Sequence, residues 1–154
     1  MPDVGDKAPG FTLPSPEGEV GLTDYDAHNV VVYFYPRDDT PGCTTEAQDF
    51  TRLAAEFDAL DTKVLGISRD SVEKHEKFAG KYDLGVTLLS DASGAVCEDY
   101  GVWVEKTMYG KTSMGIERST FLIDAQGVIR RVWSKVKVAG HAEEVLEAAR
   151  ALPR

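Results

Sequence analysis

The two cysteines are the strongest candidate nucleophiles in this chain of 154 residues, and one of them stands in a context that favours reactivity. Cys43 directly follows Thr40-Pro41-Gly42. Threonine suits a helix cap, proline suits the first helical turn, and glycine lets the backbone approach a ligand. The unpaired N–H groups and the dipole at a helix start favour a thiolate there. The spacing therefore predicts a nucleophilic Cys43, with the Thr40 hydroxyl close enough to bond the sulfur or an incoming oxygen.

Composition limits the kind of protein to which this thiol could belong. The net charge of −9 at pH 7 argues against a general nucleic-acid-binding surface, which needs a basic stripe. The longest mostly apolar run, Val30 to Tyr35, is too short to cross a bilayer, and residues 1–20 lack the basic and apolar regions of a signal peptide. Two cysteines are too few for a disulfide-dense scaffold or an all-cysteine metal site. We therefore expect a cytoplasmic protein without nucleic-acid or membrane partners.

The segments on either side of Cys43 predict how it is positioned. Residues 29–35 form a β-branched and aromatic run without alternation, typical of a central strand buried on both faces, and Pro36 ends it. Residues 37–43 are rich in turn formers. From Cys43 onward the apolar residues follow the spacing of one helical face, at Phe50, Leu53, Ala54 and Phe57.

The rest of the chain predicts the sheet and helices around this unit. Strands are expected at residues 63–68, 87–90, 118–123 and 128–133, helices at 71–85, 92–100 and 141–152, and a small hairpin near the N-terminus at 11–22. This order predicts one α/β domain over residues 1–154, with three layers, a central mixed β-sheet, helices on both faces and an N-terminal β-hairpin. In such sheets the reactive site lies at the carboxyl ends of the central strands, where residues 36–43 begin.

Residues 36–46, Pro-Arg-Asp-Asp-Thr-Pro-Gly-Cys-Thr-Thr-Glu, resemble the P-x-x-x-T-x-x-C active-site segment of the peroxiredoxins. Their T-P-G-C-T-x-E form is similar to the bacterioferritin-comigratory, or Q-type, branch. Other segments resemble the same branch in the same order, at residues 5–14, 32–36, 65–68, 89–91, 100–103 and 118–124. The resemblance thus spans nearly the whole chain.

This resemblance implies a thioredoxin-like fold and a thiol-specific peroxidase that reduces hydrogen peroxide and organic hydroperoxides. Cys43 would attack the peroxide and become a sulfenic acid, which thioredoxin or another external thiol would recycle. Thr40 would hydrogen-bond the peroxide, and Pro36 would shield the sulfenate. Arg118 matches the active-site arginine of the family, and a cation there would stabilise both the thiolate and the charge on the leaving oxygen. Glu46 matches a position that orients this arginine.

The second cysteine does not match a resolving cysteine of the branch. Relatives that form an internal disulfide carry that residue five positions after the first, where this chain has Gln48, or near residues 77–80, which contain no cysteine. Cys97 instead resembles a non-resolving cysteine on a short helix, where a free thiol packs as a small apolar residue. We therefore favour a one-cysteine mechanism. Resolution by Cys97 after local unfolding remains the alternative.

Other readings of the sequence stay open. A thiol–disulfide oxidoreductase, or a redox-sensing or interaction module, could use the same fold, although the threonine at position 40 replaces the first cysteine of a thioredoxin motif. No cofactor or metal is implied, since nucleotide-binding glycine motifs are missing and the three histidines are scattered. Asp38 and Asp39 are expected to be solvated turn carboxylates. The branch implies a monomer by default, with a weak dimer as the alternative.

Overall fold

A central five-stranded sheet forms the frame of the computed structural model, which describes residues 1–153. Its strands are β3 (Asn29–Phe34), β4 (Thr62–Ser68), β5 (Thr87–Ser90), β8 (Ser119–Ile123) and β9 (Ile129–Trp133). They lie in the order β5-β4-β3-β8-β9. Strands β3, β4 and β5 are parallel, β8 runs antiparallel to β3, and β9 runs antiparallel to β8 and therefore in the direction of β3. This is the mixed sheet that the strand and helix pattern predicts.

Strand β3 is buried along its whole length because both faces of the sheet are covered. Its side chains alternate between two apolar cores, with Val31 and Tyr33 on one face and Val32 and Phe34 on the other. Helices α1 (Pro41–Arg52), α2 (Ala54–Ala59), α3 (Val72–Tyr82) and α5 (His141–Arg150) contribute to the first core. Helix α4 (Ala95–Asp99) and the N-terminal hairpin contribute to the second. Helices therefore lie on both faces, as predicted.

Two small hairpins lie outside the central sheet. The N-terminal one pairs β1 (Thr12–Ser15) with β2 (Gly18–Gly21), as expected. The other pairs β6 (Trp103–Met108) with β7 (Lys111–Ile116) and leads directly into β8. Within residues 1–153, no helix combines the length and apolarity that a membrane span requires.

The structure corrects three details of the predicted elements. The helix expected from Cys43 onward breaks at Leu53 into α1 and α2, although Phe50 and Phe57 still share one core. Helix α3 ends at Asp83, which adopts a left-handed conformation (φ 51°), and not at Gly85. The hairpin at residues 103–116 was not expected, because only Tyr109-Gly110 marks its turn; both have positive φ, as a two-residue turn requires.

Candidate active site

Cys43 lies where the central strand passes into its helix. It is the third residue of α1 and only 1% exposed. Thr40 occupies the position before the helix, and the first helical bond runs from Thr44 N to Thr40 O at 2.8 Å. The sulfur therefore lies on the first turn, within the positive end of the helix dipole.

Sheet register brings Arg118 to this helix start. Ser119 of β8 pairs with Phe34 of β3, so the residue before β8 lies beside the loop that leaves β3. Two residues 75 positions apart in sequence thereby meet: Arg118 Nη2 donates to Cys43 Sγ at 3.3 Å. Because β3 and β8 are antiparallel, a short strand-to-helix loop and a strand start come together at one edge.

Arg118 also binds the carboxylate one helical turn beyond Cys43. Its Nη1 donates to Glu46 Oε1 at 2.6 Å, and the side chain of Glu46 is 1% exposed. Positions three apart on a helix share a face, so one guanidinium can contact both Cys43 and Glu46. Gly42 leaves room for it, since a Cβ built there would lie 3.2 Å from Arg118 Nη2. The planar fork of an arginine suits this double contact, whereas a lysine could satisfy only one side.

Burial controls the charge of this pair. Desolvation raises the pKa of Glu46 to about 7, and the attraction of Arg118 only partly opposes the rise. For Arg118, burial lowers the pKa, but the combined effect of Glu46 and Cys43 is larger and raises it. Glu46 Oε2 and Tyr33 Oη are both buried without a hydrogen-bond partner among residues 1–153. The site therefore holds the Arg118 cation in place through one Glu46 oxygen, Oε1, while the other, Oε2, accepts no hydrogen bond from the described residues.

Thr40 and Pro36 stand on the same loop as expected, but their contacts differ from the simplest prediction. The Thr40 hydroxyl donates to Arg37 O at 2.9 Å, and in the described chain it bonds no helix N–H. Thr40 thus holds the helix-cap position without capping through its side chain. Pro36 lies two residues after the end of β3 and is exposed.

Several groups around the site were not found by sequence reasoning. Lys106, on the β6–β7 hairpin, donates through Nζ to Ile116 O, two residues before Arg118. Burial and then the charge of Arg118 lower the pKa of Lys106. His141 bonds Thr120 Oγ1 at 2.8 Å, and its pKa is lowered to about 4, chiefly by burial. Lys106 lies on the hairpin that was not expected, and His141 begins α5, so neither was placed near Cys43 by the sequence.

Cys97 is separated from this arrangement by the central sheet. It belongs to the core on the other face of the sheet, whereas Cys43 belongs to the first core. The Cys97 N–H donates to Asp91 Oδ2 at 2.8 Å. Burial, followed by the hydrogen bond and charge of Asp91, raises the pKa of the Cys97 thiol. Both cysteines are free thiols in this structure.

The expectation for the paired aspartates is half wrong. Asp39 is exposed and binds Lys81 and the Tyr82 hydroxyl, at 2.9 and 2.7 Å. Asp38 is buried, with hydrogen bonds to Tyr35 and His75. In residues 1–153, no group of three or more histidine, cysteine or acidic side chains is arranged to hold a metal ion.

A buried cysteine at a helix start, beside an arginine and on this mixed sheet, is the arrangement that the resemblance implies for cysteine-based peroxidases with a thioredoxin-like fold. Comparison with known proteins gives the family. Residues 4–132 match the model of the AhpC/TSA family, and the chain belongs to it. Within that family it is a peroxiredoxin of the Bcp or Q-type branch, as the resemblance implied.

Its relatives cover almost the whole chain. Peroxiredoxin Bcp of Bacillus subtilis is 48% identical over 146 residues, which are 94% of this chain and 93% of the relative. The solved structure of Xylella fastidiosa PrxQ matches with a TM-score of 0.91 and 40% identity, covering 98% of this chain and 97% of that one. The Xanthomonas campestris bacterioferritin comigratory protein, whose structures address its alkyl peroxide reduction activity, matches with a TM-score of 0.87 and 47% identity, covering 92% and 90%. The protein is therefore a thiol peroxidase.

Proposed function

We propose that Cys43 is the peroxidatic cysteine and that it works by a one-cysteine mechanism. Its thiolate attacks one peroxide oxygen, an S–O bond forms, and the O–O bond breaks. The leaving oxygen takes up a proton to become water or an alcohol, and Cys43 becomes a sulfenic acid. The observation that carries this proposal is the contact of 3.3 Å between Arg118 Nη2 and Cys43 Sγ at the start of α1.

The neighbouring residues take roles that follow from their positions. Arg118 stabilises the thiolate and the charge that develops on the leaving oxygen, because guanidinium N–H donors are fixed beside the sulfur. Glu46 orients that guanidinium through the bond of 2.6 Å. Thr40, held by its bond to Arg37 O, directs its hydroxyl oxygen as an acceptor for the peroxide O–H. Pro36 shields the sulfenate at the end of β3.

The placement of Cys97 supports the one-cysteine mechanism. A disulfide requires Cα atoms within about 7 Å, and the two thiols belong to cores on opposite faces of the sheet. In addition, burial and Asp91 disfavour the thiolate of Cys97. Resolution by Cys97 would therefore require α4 to leave its core, and an external thiol is the better reductant for the Cys43 sulfenic acid.

We extend the proposal to substrate, reductant and setting. The substrates are hydrogen peroxide and organic hydroperoxides, the second supported by the alkyl peroxide activity studied in the Xanthomonas campestris relative. Thioredoxin or another small thiol supplies two electrons and restores the Cys43 thiol with release of water. The protein acts in the cytoplasm as a monomer of one domain, which agrees with two unpaired cysteines in a reducing compartment.

Mass spectrometry of the full chain after one equivalent of peroxide tests this mechanism. The expected product carries one additional oxygen on the peptide that contains Cys43. A loss of two hydrogens, with a peptide cross-linked between Cys43 and Cys97, would instead show internal resolution. Slow reaction with peroxide together with fast mixed-disulfide formation would favour thiol–disulfide exchange over peroxidase chemistry.

A further inference from the structure

A buried histidine–aspartate pair ties the active-site loop to the fold. Asp38 lies on that loop, five residues before Cys43, and its side chain is 3% exposed. Its Oδ1 accepts from the Tyr35 hydroxyl at 2.6 Å, and its Oδ2 lies 2.6 Å from His75 Nδ1. The Asp38 N–H donates to Asp70 Oδ2 at 2.8 Å. Side chain and backbone thus both fix the loop.

His75 connects that loop to two further elements. It belongs to α3, and its side chain is fully buried. One ring nitrogen, Nδ1, contacts Asp38, and the other, Nε2, lies 2.9 Å from Leu89 O on β5. A single imidazole therefore joins the active-site loop, α3 and β5. The peroxidase roles proposed above use neither His75 nor Asp38.

The two hydrogen-bond partners of the His75 ring determine how many protons the Asp38–His75 pair must hold. The Leu89 carbonyl can only accept, and an ionised Asp38 can only accept as well. Two acceptors at hydrogen-bond distance need two protons, but a neutral imidazole carries one. With one proton in the pair, one of the two short contacts would place lone pair against lone pair, which is unfavourable in a buried site. Both contacts are satisfied only when the pair holds a second proton, on Nδ1 or on Asp38.

We propose that Asp38 and His75 are positioning residues for the peroxidase reaction, and that the proton held between them keeps the Cys43 loop fastened to α3 and β5. The proposal rests on the proposed role of Cys43. It predicts a loop that is held firmly while both contacts of the His75 ring are made. When either contact is lost, the loop is released from α3 or from β5.

The charges that face the pair have both signs. Asp70 is the nearest carboxylate, and it is itself bonded to Ser68 Oγ at 2.7 Å and lies 3.6 Å from Lys74 Nζ. A cavity of about 300 Å³ borders the pair on the solvent side, lined by Asp38, Asp39, Lys74, Lys77, Phe78 and Lys81. Asp70 favours retention of the proton, whereas the lysines oppose it. Lys81 is paired with Asp39 and Lys74 with Asp70, so Lys77 is the opposing charge of the three that matters most.

Asp38→Asn is a sharp test because it preserves each contact without the second proton. The amide oxygen can accept from the Tyr35 hydroxyl, and the amide N–H can donate to an unprotonated His75 Nδ1 while Nε2–H still bonds Leu89 O. Both contacts of the His75 ring then persist without the second proton. His75→Asn provides a second variant, since its amide N–H replaces Nδ1–H toward an ionised Asp38. His28→Asn is the control, because His28 and Asp61 form a pair of the same 2.6 Å length on the surface.

Two measurements on the full chain decide the proposal. The first compares the unfolding equilibria of wild type, D38N, H75N and Asp38→Ala, the last of which removes the partner of both the Tyr35 hydroxyl and His75. D38A should raise the unfolding equilibrium constant at least about tenfold, because buried polar groups lose their partner. D38N and H75N, which keep partners in place, should lie closer to wild type, and H28N should match wild type.

The second measurement is the single-turnover rate of Cys43 oxidation by hydrogen peroxide. We expect D38A to react more slowly than wild type, and D38N to recover most of the wild-type rate because its amide restores both contacts. An unfolding constant of D38A equal to that of wild type would overturn the clamp, and a less stable D38A that reacts as fast as wild type would overturn the positioning role. A Cys43 that does not react with peroxide at any pH would instead overturn the proposed function.

Discussion

Cys43 and Cys97 occupy the same position in their helices and are equally buried, yet their surroundings are chemically opposite. Each is the third residue of its helix, and they are 1% and 0% exposed. At α1 a guanidinium meets the sulfur, through Arg118 at 3.3 Å. At α4 a carboxylate occupies the helix start, since Asp91 accepts from Val96 N at 3.3 Å and from Cys97 N at 2.8 Å.

This difference is the physical basis for the proposed reactivity of Cys43. A helix start favours an anion through its N–H groups, but those groups can serve only one anion at a time. In α4 the Asp91 carboxylate already occupies that place, and a second negative charge on Cys97 would be repelled. In α1 the place is left for the Cys43 sulfur, and a cation is added. The two cysteines therefore share a helix position that suits an anion, and the neighbouring charge is what distinguishes their surroundings.

The largest effect should come from exchanging each sulfur for oxygen. Cys43→Ser should lower peroxide-dependent turnover by at least about three orders of magnitude, because a hydroxyl is not ionised at neutral pH. Cys97→Ser should retain most of the wild-type turnover. A coupled assay with thioredoxin or dithiothreitol measures both. Equal losses of turnover in C43S and C97S would contradict the proposal that only Cys43 is the nucleophile.

The next largest effect should come from Arg118, whose guanidinium donates to the Cys43 sulfur. Arg118→Met removes the donor to the sulfur and to the leaving oxygen, and the rate constant for peroxide should fall about 10²- to 10³-fold. Arg118→Lys keeps the charge but not the fork that spans Cys43 and Glu46, so a smaller loss of about tenfold is expected. Stopped-flow oxidation of Cys43 measures these rates. An R118K rate equal to wild type would show that charge alone suffices.

The contrast between the surroundings of Cys43 and Cys97 could be predicted from the sequence only in part. The strand–loop–helix unit around Cys43 is local, so β-branching, turn formers and capping preferences predict it from neighbouring positions. Arg118 lies 75 positions away and was identified by family resemblance, since the contact depends on the β3–β8 register. Asp91 precedes Cys97 by six residues and carried no sequence signal, because its bonds form only when the β5–α4 turn folds back. The burial of Asp38 depends likewise on α3.

Glu46 provides a smaller effect with a defined sign. Its pKa in the folded chain is about 7, against 4.5 for the ordinary value. Between these pH values the native state holds a proton that the unfolded state has lost, so the free energy of unfolding falls as pH rises through this interval. Glu46→Gln should remove this pH dependence, which changes the free energy of unfolding by up to about 3 kcal/mol in total over the interval. Urea unfolding of both proteins at several pH values tests the prediction.

Glu143 serves as the control for this measurement. It is an exposed carboxylate whose pKa is lowered, by a bond to its own backbone and then by Arg52. Its contribution to stability should therefore be lost as pH falls, which is the opposite sign. Glu143→Gln should leave the falling slope between pH 4.5 and about 7 in place. A slope that persists in E46Q would assign the proton to another group.

The smallest expected effect comes from a single methyl group beside the arginine. A Cβ at Gly42 would lie 3.2 Å from Arg118 Nη2, so the guanidinium must shift by a few tenths of an ångström in Gly42→Ala. We expect a loss of several-fold in the rate of Cys43 oxidation, because the donor geometry changes while charge and helix remain. Gly80→Ala on α3 is the matched control, since a Cβ there meets no atom within 4 Å.

The free energy of unfolding of the two glycine variants distinguishes a local effect on the oxidation rate from a general folding defect. Alanine is favoured over glycine inside a helix by about 0.5 to 1 kcal/mol, so G80A should raise the free energy of unfolding and leave the oxidation rate unchanged. Gly42 lies in the first turn, where this gain is offset by displacement of the guanidinium. A slower reaction in G42A without loss of stability would show that the Cys43 site depends on sub-ångström placement of its cation. Equal rates in G42A and wild type would show that charge at this distance suffices, and that the contrast with Cys97 is one of sign alone.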